Sequence, residues 1–308
     1  MIPLIDAHCH VTTTVAGTLD SSNFSDPNLM RCVMSTNVYD WDKLKSLGSD
    51  DGTFLSFGVH PWYSHLFSLG NPVSKHEHYT AVLESSSQAN INDLIGLLPD
   101  PVDLNSYIDR EFDIRRISCI GEIGIDKLFR LPENGFYQAH QSARLSSVRV
   151  KLTHQVEVFT VFCRLAIKYS LPVSLHAVKC HGMMFDLCKS LLFPHEAVKI
   201  CLHSYTGSFD TLENFWLKEL PSSRIYLSLS RWISFKNADN GRKLLQALPL
   251  ECTLTETDYA VDNEKENLLL EQVSYVIDEV TQTHQLESSQ VAKQIIYDNF
   301  CRFISMNL

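Results

Sequence analysis

The chain has 308 residues, 44% of them hydrophobic and 20% charged, which is an ordinary composition for a globular protein. The 36 acidic residues outnumber the 26 lysines and arginines, so the formal charge of −10 argues against a protein that coats nucleic acid by basic charge alone. It leaves room for an enzyme that handles phosphates through bound metal ions, because such ions add local positive charge.

The nine cysteines include no CxxC pair, which argues against a disulfide framework in a chain of this length. Cys32, Cys119, Cys201 and Cys252 lie in short apolar runs and are interpreted as small core residues. No basic N-terminal region precedes an apolar stretch, and no apolar run approaches the ~18 residues that cross a bilayer. We therefore expect a reducing compartment, the cytoplasm or the nucleus, and no membrane.

Short runs of apolar or β-branched residues recur along the chain and predict eight strands. Most runs are continuous rather than alternating, which is typical of strands buried on both faces. They are PLIDAH (3–8), RCVMSTN (31–37), TFLSFGVH (53–60), ISCIGEIG (117–124), PVSLHA (172–177), VKICLHS (198–204), RIYLSLS (224–230) and CTLTETD (252–258).

Helical periodicity follows several of these runs and predicts helices over 155–170, 209–220, 266–282 and 288–304. Strands that alternate with helices favour parallel pairing. Eight repeats in this length predict an α/β fold, a distorted TIM-like (β/α)8 barrel whose site lies at the carboxyl ends of the strands.

Two regions depart from the repeat. Residues 12–30 show no amphipathic pattern and are predicted to form a long loop. Residues 62–116 form an insertion between the third and fourth strands, with a helix predicted around 76–98 and a loop at LPDPVDLN (98–105). The simplest interpretation is one domain, 1–308, with elaborated loops.

Ionisable side chains recur at one end of the predicted strands, where barrel enzymes build their sites. They are His8 and His10 in the first strand, His60 in the third, Glu122 and Asp126 in the fourth, His176 in the fifth, His203 in the sixth and Asp258 in the eighth. Residues two apart on a strand share a face, so His8 and His10 point the same way. Cys9 between them is expected to face the opposite side.

Imidazole nitrogens and carboxylate oxygens are the usual ligands of zinc and manganese, and carboxylates also suit magnesium. The predicted ligands are His8, His10, Glu122, His176, His203 and Asp258. Six ligands exceed the needs of one ion, so the set predicts two divalent ions with Glu122 between them. Such a pair would polarise a phosphoryl or carbonyl oxygen.

The remaining histidines have a simpler interpretation as solvated surface residues. They are His65, His76, His78, His140, His154, His195 and His284. His181 follows His176 by five residues and is the one further histidine expected to approach the mouth of the barrel. Taken alone, His176 also fits a hydrogen-bonded structural role, and only its place in the ordered set favours the ligand interpretation.

The motifs resemble the TatD family of metal-dependent deoxyribonucleases, within the amidohydrolase superfamily. The matching segments span nearly the whole chain and are IDAHCH (5–10), FGVHPW (57–62), IGEIGID (120–126), LAIKYSLPVSLHA (165–177), HSYTGS (203–208), TETD (255–258) and DNFCRF (298–303). GEIG followed by Asp, together with ETD, is fairly specific to TatD-like proteins, whereas HxH occurs throughout the superfamily.

The resemblance implies a role for each matching residue. His8, His10, Glu122 and Asp258 would hold the first ion, and His176 and His203 the second, with Glu122 bridging. Asp258 would also orient or deprotonate the attacking water. His60 would lie near the scissile phosphate or touch a further ion. The implied reaction is hydrolysis of DNA, typically by 3′-to-5′ trimming of single strands.

Some positions depart from the family pattern. The family usually has arginine two residues after the strand-five histidine, where this chain has Val178 followed by Lys179. Lysine offers a point charge instead of a bidentate fork. Arg231 and Lys236 after the seventh strand are candidate substitutes for the phosphate contact, and Tyr205 is a candidate to stack a base. These shifts indicate a divergent eukaryotic branch, for which a fungal origin is the expectation.

Three functions are compatible with these residues. The favoured one is a metal-dependent DNase with a DNA substrate. The second is an interaction protein that keeps the barrel and binds a protein partner through the 62–116 insertion; the intact ligand set argues against a purely structural role. The third is a C–N or ester hydrolase of the same superfamily, which GEIGID in place of a metal-bridging lysine disfavours.

Overall fold

The computed structural model describes residues 2–12, 26–47, 52–70, 74–135, 144–261 and 266–306. Eight parallel strands form one sheet in which the neighbours follow chain order. They are β1 (Leu4–His10), β2 (Leu29–Met34), β3 (Thr53–Ser56), β4 (Ile117–Asp126), β5 (Val173–Val178), β6 (Ile200–His203), β7 (Ile225–Leu229) and β8 (Thr253–Thr255). All eight strands predicted from the apolar runs are therefore confirmed.

The sheet curves into a nearly closed barrel because the chain after β8 returns to β1. The amide of Asp258 donates to the carbonyl of His8 at 3.0 Å, and the amide of Val261 donates to the carbonyl of His10 at 2.9 Å. His10 also pairs in parallel with Ala260. This junction carries the HxH residues and Asp258 to the same end of the barrel, as the (β/α)8 prediction requires.

Helices connect the strands and cover the barrel. They are α1 (Val38–Leu44), α2 (Lys75–Val82), α3 (Gln88–Leu97), α4 (Leu104–Glu111), α5 (Leu152–Tyr169), α6 (His181–Leu191), α7, α8 (Ala238–Ala247), α9 (Glu266–Thr283) and α10 (Ser289–Phe303). Helix α7 consists of a first turn, Phe209–Thr211, a π-helical segment, Leu212–Trp216, and a last turn, Leu217–Glu219. Within the described ranges, no helix is both long enough and apolar enough to cross a bilayer.

The segment between β3 and β4 is more regular than its sequence suggests. It begins with a 3₁₀ helix, Pro61–Leu66, and the single helix predicted around 76–98 is two helices, α2 and α3. They separate at Leu83–Glu84, which pairs with Arg149–Val150, so a strand contact interrupts the helix. The assignment of 1–308 to a single domain stays a prediction.

The predicted loop at 12–30 is longer than the structure allows, because β2 already begins at Leu29. Residues 13–25 of that loop, and His140, lie outside the described residues. The four cysteines assigned to the core are confirmed there, each no more than 1% exposed.

Candidate metal centre

Glu122 on β4 lies at the centre of the site, where its side chain is 2% exposed. Its Oε1 lies 2.7 Å from Nδ1 of His176, 3.0 Å from Nε2 of His203 and 3.4 Å from Nε2 of His60. Its Oε2 faces the opposite group, 3.3 Å from Nε2 of His8 and 3.5 Å from Nε2 of His10. One buried carboxylate therefore lies between two groups of imidazoles and presents a different oxygen to each.

Asp258 completes the group on the Oε2 side. Its Oδ1 lies 3.2 Å from Nε2 of His10 and 3.7 Å from Nε2 of His8. Asp258 has a left-handed backbone, with φ at 57°, which is costly for a residue other than glycine. The end of β8 is tied to β1 because Asp6 accepts from the amide of Thr257 at 2.9 Å and from its hydroxyl at 2.7 Å.

Electrostatics keep the two carboxylates ionised. Burial alone would raise the pKa of Glu122, but the surrounding imidazoles of His60, His203 and His8 outweigh burial and lower it well below its usual range. The pKa of Asp258 is lowered for the same reason, with burial outweighed chiefly by His203 and by the hydrogen bond from His10. Both groups thus offer charged oxygens at neutral pH.

The pKa values of the surrounding histidines shift in opposite directions. Burial lowers the pKa of His60 to about 4, so its ring is neutral at neutral pH. Burial also acts on His203, yet the carboxylates of Glu122 and Glu256 outweigh it and raise the pKa of His203 well above its ordinary value. Hydrogen bonds with carboxylates likewise outweigh burial at His10 and His176 and raise the pKa of both rings, so protons on these imidazoles offset the charge of Glu122 and Asp258.

A second layer of polar groups faces the other nitrogen of three of these rings. Nδ1 of His8 lies 2.9 Å from the hydroxyl of Ser174. Nε2 of His176 lies 3.5 Å from Asp126, and Nδ1 of His203 lies 3.5 Å from Glu256. Such partners set the orientation and tautomer of metal-binding histidines.

Asp126 is held in place by several donors. The indole Nε1 of Trp62 donates to its Oδ2 at 2.6 Å, and the amides of Leu128 and Phe129 donate to its Oδ1 at 2.7 and 3.0 Å. Burial is outweighed by the contacts with His176 and Trp62, which lower the pKa of Asp126 to about 2. This aspartate therefore remains a carboxylate beside the His176 ring.

The sequence analysis gave no role to Glu256 or Ser174 and none beyond strand-end position to Asp126. All three lie within the runs that it singled out, TETD, PVSLHA and GEIGID. The signal that could have found them is spacing. Glu256 is two residues before Asp258, and Ser174 is two residues before His176, so each projects from the same strand end as a predicted ligand.

Five of the six predicted ligands and His60 line one cavity of about 220 Å³, whereas His8 is fully buried beside Glu122 and does not reach the wall. Its walls are formed by His10, Thr12, Thr36, His60, Trp62, Tyr63, Glu122, His176, His203 and Asp258. None of these described wall residues is a lysine or an arginine, so the cavity itself offers no permanent cation to a phosphate.

The donor set fits divalent ions. Three groups have ligand atoms within 4.8 Å of one another, and they are His8, His10 and Asp258; His60, Glu122 and His176; and His8, His203 and Glu256. Nε2 of His176 and Nδ1 of His203, which face Asp126 and Glu256 rather than Glu122, are buried without a hydrogen bond among the described residues. Imidazole and carboxylate donors crowded around one carboxylate are the chemistry that zinc or manganese requires.

The three predicted substrate contacts lie elsewhere. Lys179 is exposed after β5, and the hydroxyl of Tyr205 donates to the carbonyl of Ser208 at 3.0 Å. The guanidinium of Arg231 packs over the ring of Tyr275, 4.7 Å from its centroid. None of the three lines the cavity, and their substrate roles stay predictions.

The remaining histidines divide: His76 and His195 are exposed, as the sequence predicted, but others are not. His181 contacts the hydroxyl of Thr206 at 3.3 Å, outside the cavity wall. The surface interpretation of His65, His78 and His154 is wrong, because all three are at most 6% exposed. Nε2 of His78 donates to the carbonyl of His65 at 2.8 Å, and Nε2 of His154 donates to that of Ser64 at 3.0 Å. Tertiary packing of α2 and α5 against the 3₁₀ helix buries them.

Comparisons with known proteins identify the family of the chain. The TatD related DNase family matches residues 5–305. An uncharacterized deoxyribonuclease of Saccharomyces cerevisiae is 48% identical over 99% of this chain and 100% of its own length. The Cut9-interacting protein scn1 of Schizosaccharomyces pombe is 31% identical over 84% of this chain and 87% of its own. The structure of the Escherichia coli TatD homologue YJJV covers all of both chains, with a TM-score of 0.61 at 17% identity.

Proposed function

Because this chain belongs to the TatD related DNase family, we propose that it is a deoxyribonuclease that trims single-stranded DNA from the 3′ end with two divalent ions. The observation that carries the proposal is Glu122, whose two oxygens face separate groups of ligands. The 48% identity to a yeast protein named as a deoxyribonuclease supports the substrate class.

In this proposal His8, His10 and Asp258 would hold one ion, His176 and His203 would hold the other, and Glu122 would contribute one oxygen to each. The ions are zinc, manganese or magnesium, and when bound they supply positive charge to the phosphoryl oxygens and lower the pKa of water. Every other contribution to the reaction comes from the side chains of the site.

Asp258 acts as the base. Its lowered pKa keeps it ionised at neutral pH, and it forms part of the cavity wall, where it can orient a water and take its proton. The water oxygen bonds to phosphorus while the bond from phosphorus to the 3′ oxygen of the preceding nucleotide breaks, and that oxygen takes a proton from solvent to become a 3′-hydroxyl. His60, neutral and adjacent to His176 at 3.1 Å, lines the same cavity and would position the phosphate.

The cavity favours a strand end as its substrate. A space of about 220 Å³ suits a single phosphate with part of one nucleotide far better than a duplex. Without lysine or arginine on its described walls, the rest of the strand must be held outside it. Arg231 and Trp232 follow β7 on the same end of the barrel, and Trp232 is 55% exposed, so it offers a stacking surface for a base.

The test is an assay of labelled single-stranded DNA with added metal or with EDTA. We expect a 5′-labelled strand to shorten stepwise and a 3′-labelled strand to release a mononucleotide at once, both only with metal. Asp258→Asn should abolish both signals, whereas Asp278→Asn, at an exposed position on α9, should leave them intact. Internal cleavage would contradict the exonuclease proposal, and cleavage of esters or amides but not DNA would favour another hydrolase of the superfamily.

A second candidate role is binding of a protein partner. It is favoured by the relative named as a Cut9-interacting protein and by exposed apolar side chains in the 62–116 segment, Leu69, Leu97 and Ile114, of which Leu97 is 58% exposed. Leu97→Asp should lose a stoichiometric partner on purification from the native cell while DNA hydrolysis persists. Asp258→Asn should keep the partner and lose DNA hydrolysis.

We also propose a cytoplasmic or nuclear location, which nine free thiols support.

A further inference from the structure

Glu256 is a buried carboxylate for which the proposed reaction has no use. It is 0% exposed, and no lysine or arginine forms an ion pair with it among the described residues. Its Oε1 accepts from the hydroxyl of Ser204 and its Oε2 from the hydroxyl of Ser228. Burying a charge without a strong cationic partner is costly, so its presence requires a reason.

The reason lies on the far side of the His203 ring. Nε2 of His203 faces Glu122 at 3.0 Å, whereas Nδ1 faces Glu256 at 3.5 Å. That Nδ1 is buried and makes no hydrogen bond in the described part of the chain. A histidine that binds an ion through Nε2 must carry its proton on Nδ1, which is the nitrogen turned toward Glu256.

The backbone beside this contact adopts an unfavourable conformation. Ser204, which directly follows His203, has a left-handed φ of 41° and still directs its hydroxyl at Glu256. A second hydroxyl, that of Ser230, lies 3.1 Å from the Ser204 hydroxyl. Strained positions of this kind persist where the surroundings over-determine them, typically at functional sites.

We infer that Glu256 is a positioning residue that holds His203 in the Nδ1–H tautomer and so prepares Nε2 for a divalent ion. His8 on the other side of Glu122 has a neutral partner instead, the hydroxyl of Ser174. His203 is backed by a carboxylate and His8 by a hydroxyl. Nε2 of His203 should therefore be the more basic ligand of the two and should bind its ion more tightly. The inference rests on the proposed two-metal function.

The test is titration of chelated, metal-free protein with Zn²⁺ against a chromogenic chelator, which resolves the individual binding constants. Glu256→Gln keeps the volume and the acceptor but removes the charge, and should weaken one constant by about 10- to 100-fold. Ser174→Ala should weaken the other constant. Glu251→Gln, an exposed glutamate in the same segment, is the matched control and should change neither.

A merely structural role predicts a different pattern. It would lower the thermal midpoint of the metal-free Glu256→Gln protein and leave both Zn²⁺ constants unchanged, and that result overturns the inference. If Glu256→Gln does not fold, Ser204→Ala keeps the carboxylate, removes one of its donors and should still weaken the same single constant. Wild-type protein that binds two ions without cleaving DNA would defeat the proposed function alone, whereas DNA cleavage with an unaltered Glu256→Gln titration would defeat this inference alone.

Discussion

The hydrogen bond between Trp62 and Asp126 gives a sharp test of how the cavity wall is held. The indole Nε1 donates to Oδ2 of Asp126 at 2.6 Å, and the aspartate is only 5% exposed. The ring of Trp62 also stacks on Phe129, with centroids 5.1 Å apart and planes 14° apart. Trp62→Phe keeps an aromatic ring in that stack and removes the donor, and the double-mutant cycle below separates the lost hydrogen bond from the smaller ring.

The expected coupling energy depends on which hydrogen bonds the Asp126 carboxylate retains after Trp62→Phe. Oδ1 retains the amides of Leu128 and Phe129, but among the described residues Oδ2 is left with only Nε2 of His176, at 3.5 Å. A buried hydrogen bond to a charged group contributes about 1.5–3 kcal/mol. A double-mutant cycle of Trp62→Phe and Asp126→Ala should therefore give a coupling energy of about 2 kcal/mol in the free energy of unfolding.

The assay is urea denaturation in EDTA, so that bound ions do not contribute. The control cycle pairs Trp41→Phe with Glu111→Ala, because that indole donates over a longer distance, 3.2 Å, to a side chain that is 15% exposed. Its coupling should be below about 1 kcal/mol. Equal coupling in both cycles, or a Trp62–Asp126 coupling below about 0.5 kcal/mol, would refute the reasoning.

Three further predictions concern stability and catalysis. Burial raises the pKa of Asp6 from 3.8 to about 6. Between those pH values the folded state holds a proton that the unfolded state releases. The contribution of Asp6 to the free energy of unfolding therefore falls as the pH rises through that window. The unfolding free energy of Asp6→Asn relative to wild type should thus rise by about 2 kcal/mol from pH 4 to pH 7, and a constant difference would contradict it. Gly58→Ala would place a Cβ 2.6 Å from the carbonyl carbon of Gly121 and should cost about 3 kcal/mol in urea denaturation, whereas Gly96→Ala, in open space on α3, should not. EDTA should abolish hydrolysis of a small phosphodiester, and Asp258→Ala should lower its kcat by about 100-fold or more with metal restored; activity that survives chelation would refute metal dependence.

Much of the architecture was accessible from the sequence because its cause is local. A strand buried on both faces must be continuously apolar, and eight such runs marked all eight barrel strands. The positions of the candidate ligands follow from the same rule, since residues at the carboxyl ends of parallel strands must meet at one end of the barrel. The convergence of the HxH residues, Glu122 and Asp258 is therefore a consequence of topology.

Other features were decided only by packing between distant segments. Whether His65 or His154 is solvated depends on how α2 and α5 close over the 3₁₀ helix, which no local pattern records. The division of 76–98 into two helices depends on a strand contact with residues near 150.

The sequence by itself determined the fold class and which residues are candidate ligands, because periodicity and strand-end position are properties of neighbouring residues. Tertiary structure alone decided which oxygen of Glu122 faces which imidazoles, and that Glu256 lies behind His203. These are contacts between side chains more than 50 residues apart, and their distances and orientations depend on the curvature of the closed barrel.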